Sequence, residues 1–332
     1  DFAQRRDIQD PVTIKDFAEI IQTTKRLKLL LFLTVADIRA VGPGVWNDWK
    51  GELLKNLYDE TYLALTGNFS EQERKNKVIL IKNEVNKALP NLNNKLKQSL
   101  IDNLDDSYWL SVPADIQKRN LIYLSQGLKN KEKEIIDIYN NDQVSSTILT
   151  IYTKDKPRLF QRISAGCLDL GISIVDARIF SNKDDSVLDI LWIQDTFSKK
   201  ITDGSRLARL KERILEFITD KNIPSIKINY KLDKRVTAFD VAPYVEIDNS
   251  LSDRFSVIEV SGKDRPGLLY NLTKSLSDMN INIRSAHIAT FGERATDVFY
   301  VLSQNGEKVF SRKKINSIKE ELTKSIIITD NV

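Results

Sequence analysis

The sequence predicts an α+β protein: an all-helical N-terminal part over residues 1–143, followed by two ferredoxin-like βαββαβ modules. Three observations predict this. Apolar positions in residues 1–143 recur at helical spacing, punctuated by proline and glycine. Beyond them, short runs alternate polar and apolar residues between further helix patterns. Finally, residues 147–195 resemble residues 255–304, the matched stretches lying 109 positions apart up to the turn and 108 after it, as in two duplicated domains.

In the helical part, Thr13 with Asp16 marks a helix start, and Phe17, Ile20 and Ile21 follow on one side. A second helix is expected from about Lys25 to Ala40. It is apolar almost all round at Leu29, Leu30, Leu31, Phe32, Leu33 and Val35, so it should be buried. Gly42-Pro43-Gly44 stops it. Trp46 to about Leu65 reads as a third helix, with Trp46, Trp49, Leu53 and Leu57 at helical spacing. Ser70 and Glu73 form a capping-box pattern ahead of a helix to about Leu89, and Pro90 and Pro113 punctuate a helical stretch ending near Asn141. Asp37 lies near the end of the most apolar helix. A buried acid needs a partner; an ion pair with Arg39, a helix-end contact or a metal would serve.

In the repeat, Thr150 to Phe160 matches Glu259 to Leu269, and a helix follows each. Gly171 to Ile179 then matches Asn280 to Ile288, and Asp189 to Ile193 matches Asp297 to Val301. The first copy should finish with a helix at Gly204–Thr219 and a strand at Ile226–Leu232. The second should finish with a helix at Arg312–Thr323 and a strand at Ile326–Ile328. In the turn before the second copy's first helix, Pro266 is expected in the first helical turn, where its missing N–H is harmless. Gly267 leaves room for a group to approach. The N–H groups of Gly267, Leu268 and Leu269 would face an anion such as an amino-acid carboxylate. A plain strand-to-helix turn is the alternative. The candidate effector site is Asp264, Arg265, Gly267, Leu268 and Leu269 against the strand start at Asn282 and Ile283. The first copy offers Asp155, Arg158, Leu159 and Phe160 with Ser173 and Ile174.

Composition excludes several classes. Hydrophobic residues are 41% and charged residues 29%, as in a soluble globular protein, and the net charge is only +4. The nearest thing to a basic tract, Lys129–Lys133, is broken up by Glu132 and Glu134, so no nucleic-acid partner is expected. The longest apolar run, Leu29–Ala36, is too short to span a bilayer, and no membrane role is expected. One cysteine, Cys167, forbids an intrachain disulfide and suits a cytoplasmic setting; it reads as a core residue. The single histidine, His287, lies mid-strand and reads as a satisfied or surface-facing residue. With one imidazole and no phosphate loop, a complete active site is not expected. Phe299, Tyr300 and Trp192 read as core or interface aromatics. The chain begins at Asp1 in mid-pattern, which suggests the C-terminal part of something longer.

Asp264-Arg265-Pro266-Gly267-Leu268-Leu269, with Asn280–Ile283 and Asp297–Val301, resembles an ACT domain. Leu30 to Lys50, with Arg6-Asp7-Ile8-Gln9-Asp10-Pro11 before it, resembles the end of the HD hydrolase domain in the bifunctional PII uridylyltransferase/uridylyl-removing enzymes. The resemblance implies residues 1–69 as the end of an HD domain, 70–143 as a helical connector, 144–232 and 255–332 as ACT domains, and 233–254 as a linker. It implies a glutamine-sensing regulatory region, with PII as the substrate of the full-length enzyme and ACT–ACT pairing within or between chains. It also implies Asp37 as a metal ligand, and Mg²⁺ or Mn²⁺ in the full-length enzyme; no cofactor is expected for this stretch alone. A stand-alone amino-acid-binding ACT regulator without catalysis is the alternative. A different HD-plus-ACT enzyme, such as a nucleotide-signal hydrolase, is a third reading.

Overall fold

A computed structural model describes residues 6, 8, 10–41, 48–66, 71–90, 92–141, 145–197, 199–220, 226, 241–291 and 294–327. Two compact units result. One comprises Asp1–Ile135, Asp142–Ser145 and Phe180–Leu188; the other comprises Ile136–Asn141, Ser146–Ile179 and Asp189–Val332.

The first unit carries helices α1 (Pro11–Ile21), α2 (Thr24–Val41), α3 (Asp48–Leu65), α4 (Glu71–Ala88), α5 (Asn94–Asn103), α6 (Asp106–Ser111) and α7 (Ala114–Lys129). α1 begins earlier than Thr13. The Asp10 carboxylate accepts from the Val12 N–H at 3.0 Å and Pro11 occupies the first helical position, which together cap the helix. Ile14, Phe17 and Ile21 then pack with Leu27, Leu53 and Leu57 in one core cluster. Two buried side chains finish helix ends by donating to carbonyls in or just past the last turn. Lys97 Nζ donates to the Asn86 and Leu89 carbonyls at 3.1 and 2.9 Å. Gln117 Nε2 donates to the Trp109 and Val112 carbonyls at 2.9 and 2.8 Å.

The expectation that α2 is buried is corrected. Leu29, Leu30, Phe32 and Leu33 are 53%, 39%, 59% and 67% exposed, and Asp37 is exposed too. α1 and α3 pack on one stripe of α2, whereas a helix apolar all round needs neighbours on every side to be buried. The Gly42-Pro43-Gly44 stop, Trp46 and the Ser70 cap lie outside the described residues.

The second unit is built on strands β1 (Ile135–Asn140), β2 (Thr147–Lys154), β3 (Ser173–Ser181), β4 (Ser186–Gln194), β5 (Tyr244–Asp248), β6 (Ser256–Lys263), β7 (Ile281–Phe291) and β8 (Arg294–Ser303). Its helices are α8 (Leu159–Asp169), α9 (Gly204–Thr219), α10 (Leu268–Asp278) and α11 (Arg312–Ile327). The strands form one sheet in the order β1-β2-β4-β3-β7-β8-β6-β5.

Each module is thus a βαββαβ-like unit whose outermost strand comes first rather than last. β1 was expected as the tail of the helical stretch, and β5 was placed in the linker. The expected final strand of the second copy is corrected as well, because Ile326 and Ile327 end α11. Ile226 forms no strand, and residues 227–232 lie outside the described residues. The reason is geometric. β5 pairs antiparallel with β6, Val245 opposite Val260, and so fills the edge that a closing strand would take.

The modules join through β3 and β7, antiparallel, with Ala177 opposite Ala286. Behind the sheet α8 packs on α10, and Ser164 Oγ meets Thr273 Oγ1 at 3.0 Å. The Ser164–Thr273 pair is separated by 109 residues, the offset of the repeat, and so is the Ala177–Ala286 pair. A local two-fold axis therefore passes through both contacts, and the two modules pair within the chain.

Candidate functional site

The two β-to-α loops start from the same backbone solution. The residue before each helix is left-handed: Arg158 at φ 65° and Gly267 at φ 82°. Glycine adopts this conformation freely, while an arginine there is disfavoured. Gly267 is therefore the cap, and Pro266 precedes it instead of sitting in the first turn. The Leu268 N–H is not free either, since it donates to the Arg265 carbonyl at 3.1 Å; Leu159 N–H does the same to Lys156 at 3.2 Å. The remaining first-turn N–H groups keep the polarity that suits an anion. Leu159, Phe160 and Leu268 are buried and anchor the loops, while Asp155, Arg158 and Asp264 are exposed. Arg265 turns away from the turn, with Nη2 donating to the Ser325 carbonyl at 2.8 Å, so it finishes the end of α11.

The structure corrects the strand half of the site. Lys263, at the loop, pairs with Arg294, but Ile283 pairs with Val301, seven positions along β8. At strand rise that is about 23 Å away. Asn282 and Ile283 thus lie at the opposite end of their own module from Asp264–Leu269. Because β3 and β7 are antiparallel about the Ala177–Ala286 pair, Ser173 and Ile174 lie toward the Asp264–Leu269 end. By the same symmetry, Asn282 and Ile283 lie toward Asp155–Phe160. Each candidate site is composite, with its loop from one module and its strand start from the other.

The two composite sites differ in charge. Across the seam from its loop, Arg158 Nη1 lies 2.8 Å from Asp278 Oδ1, and Lys274 Nζ lies 2.6 Å from the other oxygen. The position equivalent to Asp278 is Asp169, and there Arg213 Nε of the same module is the partner at 2.8 Å. Arg162, one turn into α8, donates to the Phe217 and Asp220 carbonyls at 2.9 Å each. Burial and then the neighbouring Arg158 charge draw its pKa down.

One residue that the sequence reading did not single out lies beneath the first loop. Asp189, on β4, is 1% exposed, and its Oδ1 has no hydrogen-bond partner. Burial, and second the charge of Asp155 in the loop, push its carboxyl from 3.8 up to about 8. Its counterpart Asp297 is also buried. The signal was an acid inside an otherwise apolar strand, Asp189-Ile190-Leu191-Trp192-Ile193.

The other singled-out residues take structural places. His287 Nδ1 lies 3.5 Å from Asp176 Oδ1 across the seam, with its ring edge-on to Tyr300. Cys167 is buried, and burial raises its thiol to about 12, so it stays protonated and unreactive. Asp37 stands on the open side of α2, and among the described residues no group of three His, Cys, Asp or Glu side chains forms a metal site. No described helix is long and apolar enough to cross a membrane.

The family model for an ACR9-like, ACT-like domain matches residues 244–329, starting at the first residue of β5. The bifunctional uridylyltransferase/uridylyl-removing enzyme of Nitrobacter winogradskyi is 39% identical over 321 residues, which is 96% of this chain and 35% of that protein. This chain is related to the bifunctional uridylyltransferase/uridylyl-removing enzymes. Those of Bradyrhizobium diazoefficiens and Rhodopseudomonas palustris are 38% and 39% identical, covering 97% and 96% of this chain and 35% of each relative. The chain spans about a third of the length of these uridylyltransferase/uridylyl-removing relatives. A crystal structure of an unknown protein from Galdieria sulphuraria is 12% identical and covers 54% of this chain and 89% of that one, but its TM-score of 0.18 carries no argument.

Proposed function

We propose that this chain is the glutamine-sensing regulatory region of a bifunctional enzyme that adds UMP to and removes it from the signalling protein PII. The observation that carries the reading is the left-handed cap at Gly267, which projects no side chain over the start of α10, at the end of the sheet toward which Ser173 and Ile174 of the other module lie. The ligand's carboxylate would meet the first-turn N–H groups, where the helix dipole favours negative charge. A ligand held between the modules would bias their pairing, and so transmit its presence to whatever the pair is attached to. Relatedness to the uridylyl-transferring and uridylyl-removing enzymes supplies the context.

The test is calorimetric titration of the chain with L-glutamine. Gly267→Arg should lower affinity at least tenfold, equivalent to about 1.4 kcal/mol. Arg158 already occupies the matching left-handed position, so the variant chain has a precedent for folding. Unchanged glutamine affinity in a folded Gly267→Arg protein removes the site from this loop.

In the same reading, residues 1–69 end an HD domain, and Asp37 supplies one ligand to a divalent metal completed outside this chain. Asp37→Asn in the complete enzyme should abolish UMP removal and spare UMP transfer. Equal loss of both activities, or loss of neither, contradicts that role.

A further inference from the structure

We propose that Arg158 is a stopper: it closes the first of two like sites along the module seam, so that the chain holds one amino-acid ligand where the repeat provides for two. The inference rests on the reading of the seam as an amino-acid site.

The two sites are assembled from equivalent parts. One has the loop Asp155–Phe160 facing the strand start at Asn282 and the helix end at Asp278. The other has Asp264–Leu269 at the end of the sheet toward which Ser173 lies, with Asp169 in the position equivalent to Asp278. At the second, the cap residue is Gly267 and nothing projects from it, while Asp169 is engaged within its own module by Arg213. At the first, the cap is Arg158, and its guanidinium crosses the seam to Asp278 at 2.8 Å. The side chain that leaves the helix start therefore ends on a carboxylate of this same chain, where a ligand would need both the space and the helix start.

Stability alone does not account for the arginine. Its left-handed backbone is unfavourable for a residue with a side chain. Its ion pair joins side chains that are 44% and 36% exposed, a class of pair that contributes little.

A separate observation shows that the first loop retains the makings of a site. Asp189 is buried with an unpartnered Oδ1, close enough to Asp155 for their charges to interact. A buried carboxyl oxygen without a donor is an unfavourable thing to keep. An ammonium group entering over the loop is the partner its position suits.

Calorimetric titration with L-glutamine of four proteins tests this: the natural chain, Arg158→Gly, Gly267→Arg and the double variant. The expected stoichiometries are one, two, none and one. Glycine is at ease at φ 65°, so Arg158→Gly should fold at least as well as the natural chain. Adding Asp189→Asn to Arg158→Gly should weaken only the newly opened site, tenfold or more. Two ligands on the natural chain, or one on Arg158→Gly at unchanged affinity, would overturn the proposal and leave the seam site standing. Binding to none of the four proteins would overturn the seam reading itself, and the stopper with it.

Discussion

Asp189→Asn should make the chain harder to unfold at pH 8 than the natural sequence, and should flatten the fall in stability between about pH 4 and pH 8. The sign follows from proton counting. In the folded chain the Asp189 carboxyl titrates near 8, but in the unfolded chain it returns to its ordinary value of 3.8. Between those values the folded state holds a proton that the unfolded state has released, so raising the pH favours unfolding. Its contribution to stability is fully present below pH 3.8 and is lost as pH rises through 8. One such group changes stability by about 1.4 kcal/mol per pH unit inside the window. Asparagine has a similar shape, cannot ionise, and should remove this slope. Urea unfolding of both proteins at pH 5, 6, 7 and 8 measures it. Parallel pH profiles would show that Asp189 is ionised in the folded chain and has a partner.

Trp109→Ala should destabilise the helical unit by about 3–5 kcal/mol, a large share of the 5–15 kcal/mol typical of a whole domain. Trp109 is 1% exposed, edge-on to Tyr108 at 5.0 Å, and Tyr108 in turn lies edge-on to Phe180 at 5.4 Å. Phe180 lies near the end of β3, and in the turn that follows Lys183 Nζ donates to the Asp102 carbonyl at 2.6 Å within the same compact unit. Removing the indole therefore empties the end of this edge-on aromatic row and leaves Tyr108 held by Phe180, the situation in which a cavity stays open. Trp109→Phe should be milder, because the indole Nε1 is buried without a hydrogen-bond partner and its loss removes a liability. Denaturant midpoints of the three proteins decide the matter. A loss under about 1 kcal/mol for alanine would mean that this core relaxes around the gap.

The repeat was legible because its two copies keep the same punctuation, Asp155-Lys156-Pro157 and Asp264-Arg265-Pro266, ahead of like helices. Phe299, Tyr300 and Trp192, read from their strands as core or interface aromatics, are buried. β1 was not legible. Ile135-Ile136-Asp137-Ile138-Tyr139 is short and follows a charged helix end, and only pairing with a strand beyond it decides its state. β5 was missed for the same reason. The exposed face of α2 shows the limit of a composition argument: apolar residues all round a helix show what it prefers, whereas burial depends on which neighbours are present. Ser173 and Ile174 were assigned to the loop of their own copy, because their place toward the other copy's loop depends on the β3–β7 register, a contact between strands more than a hundred residues apart. What the sequence could have suggested, and what went unweighed, was Asp189: an acid that belongs to an apolar strand has to be reckoned with wherever it ends up.

Strand-first modules change where the chain can be cut. A fragment begun at residue 144, where the repeat becomes recognisable, lacks Ile135–Asn140 and leaves β2 as an open edge. That strand, Thr147–Lys154, is buried along all but its last residue, and its backbone N–H and C=O groups on that side would face water or another molecule. Uncovered strands of this kind recruit further strands, so such a truncation invites intermolecular pairing in place of a clean monomer. The same holds at the other edge for a fragment begun at 255, which discards Tyr244–Asp248. The unit that can be transplanted, labelled or crystallised alone therefore starts about ten residues before the point where the two copies begin to look alike.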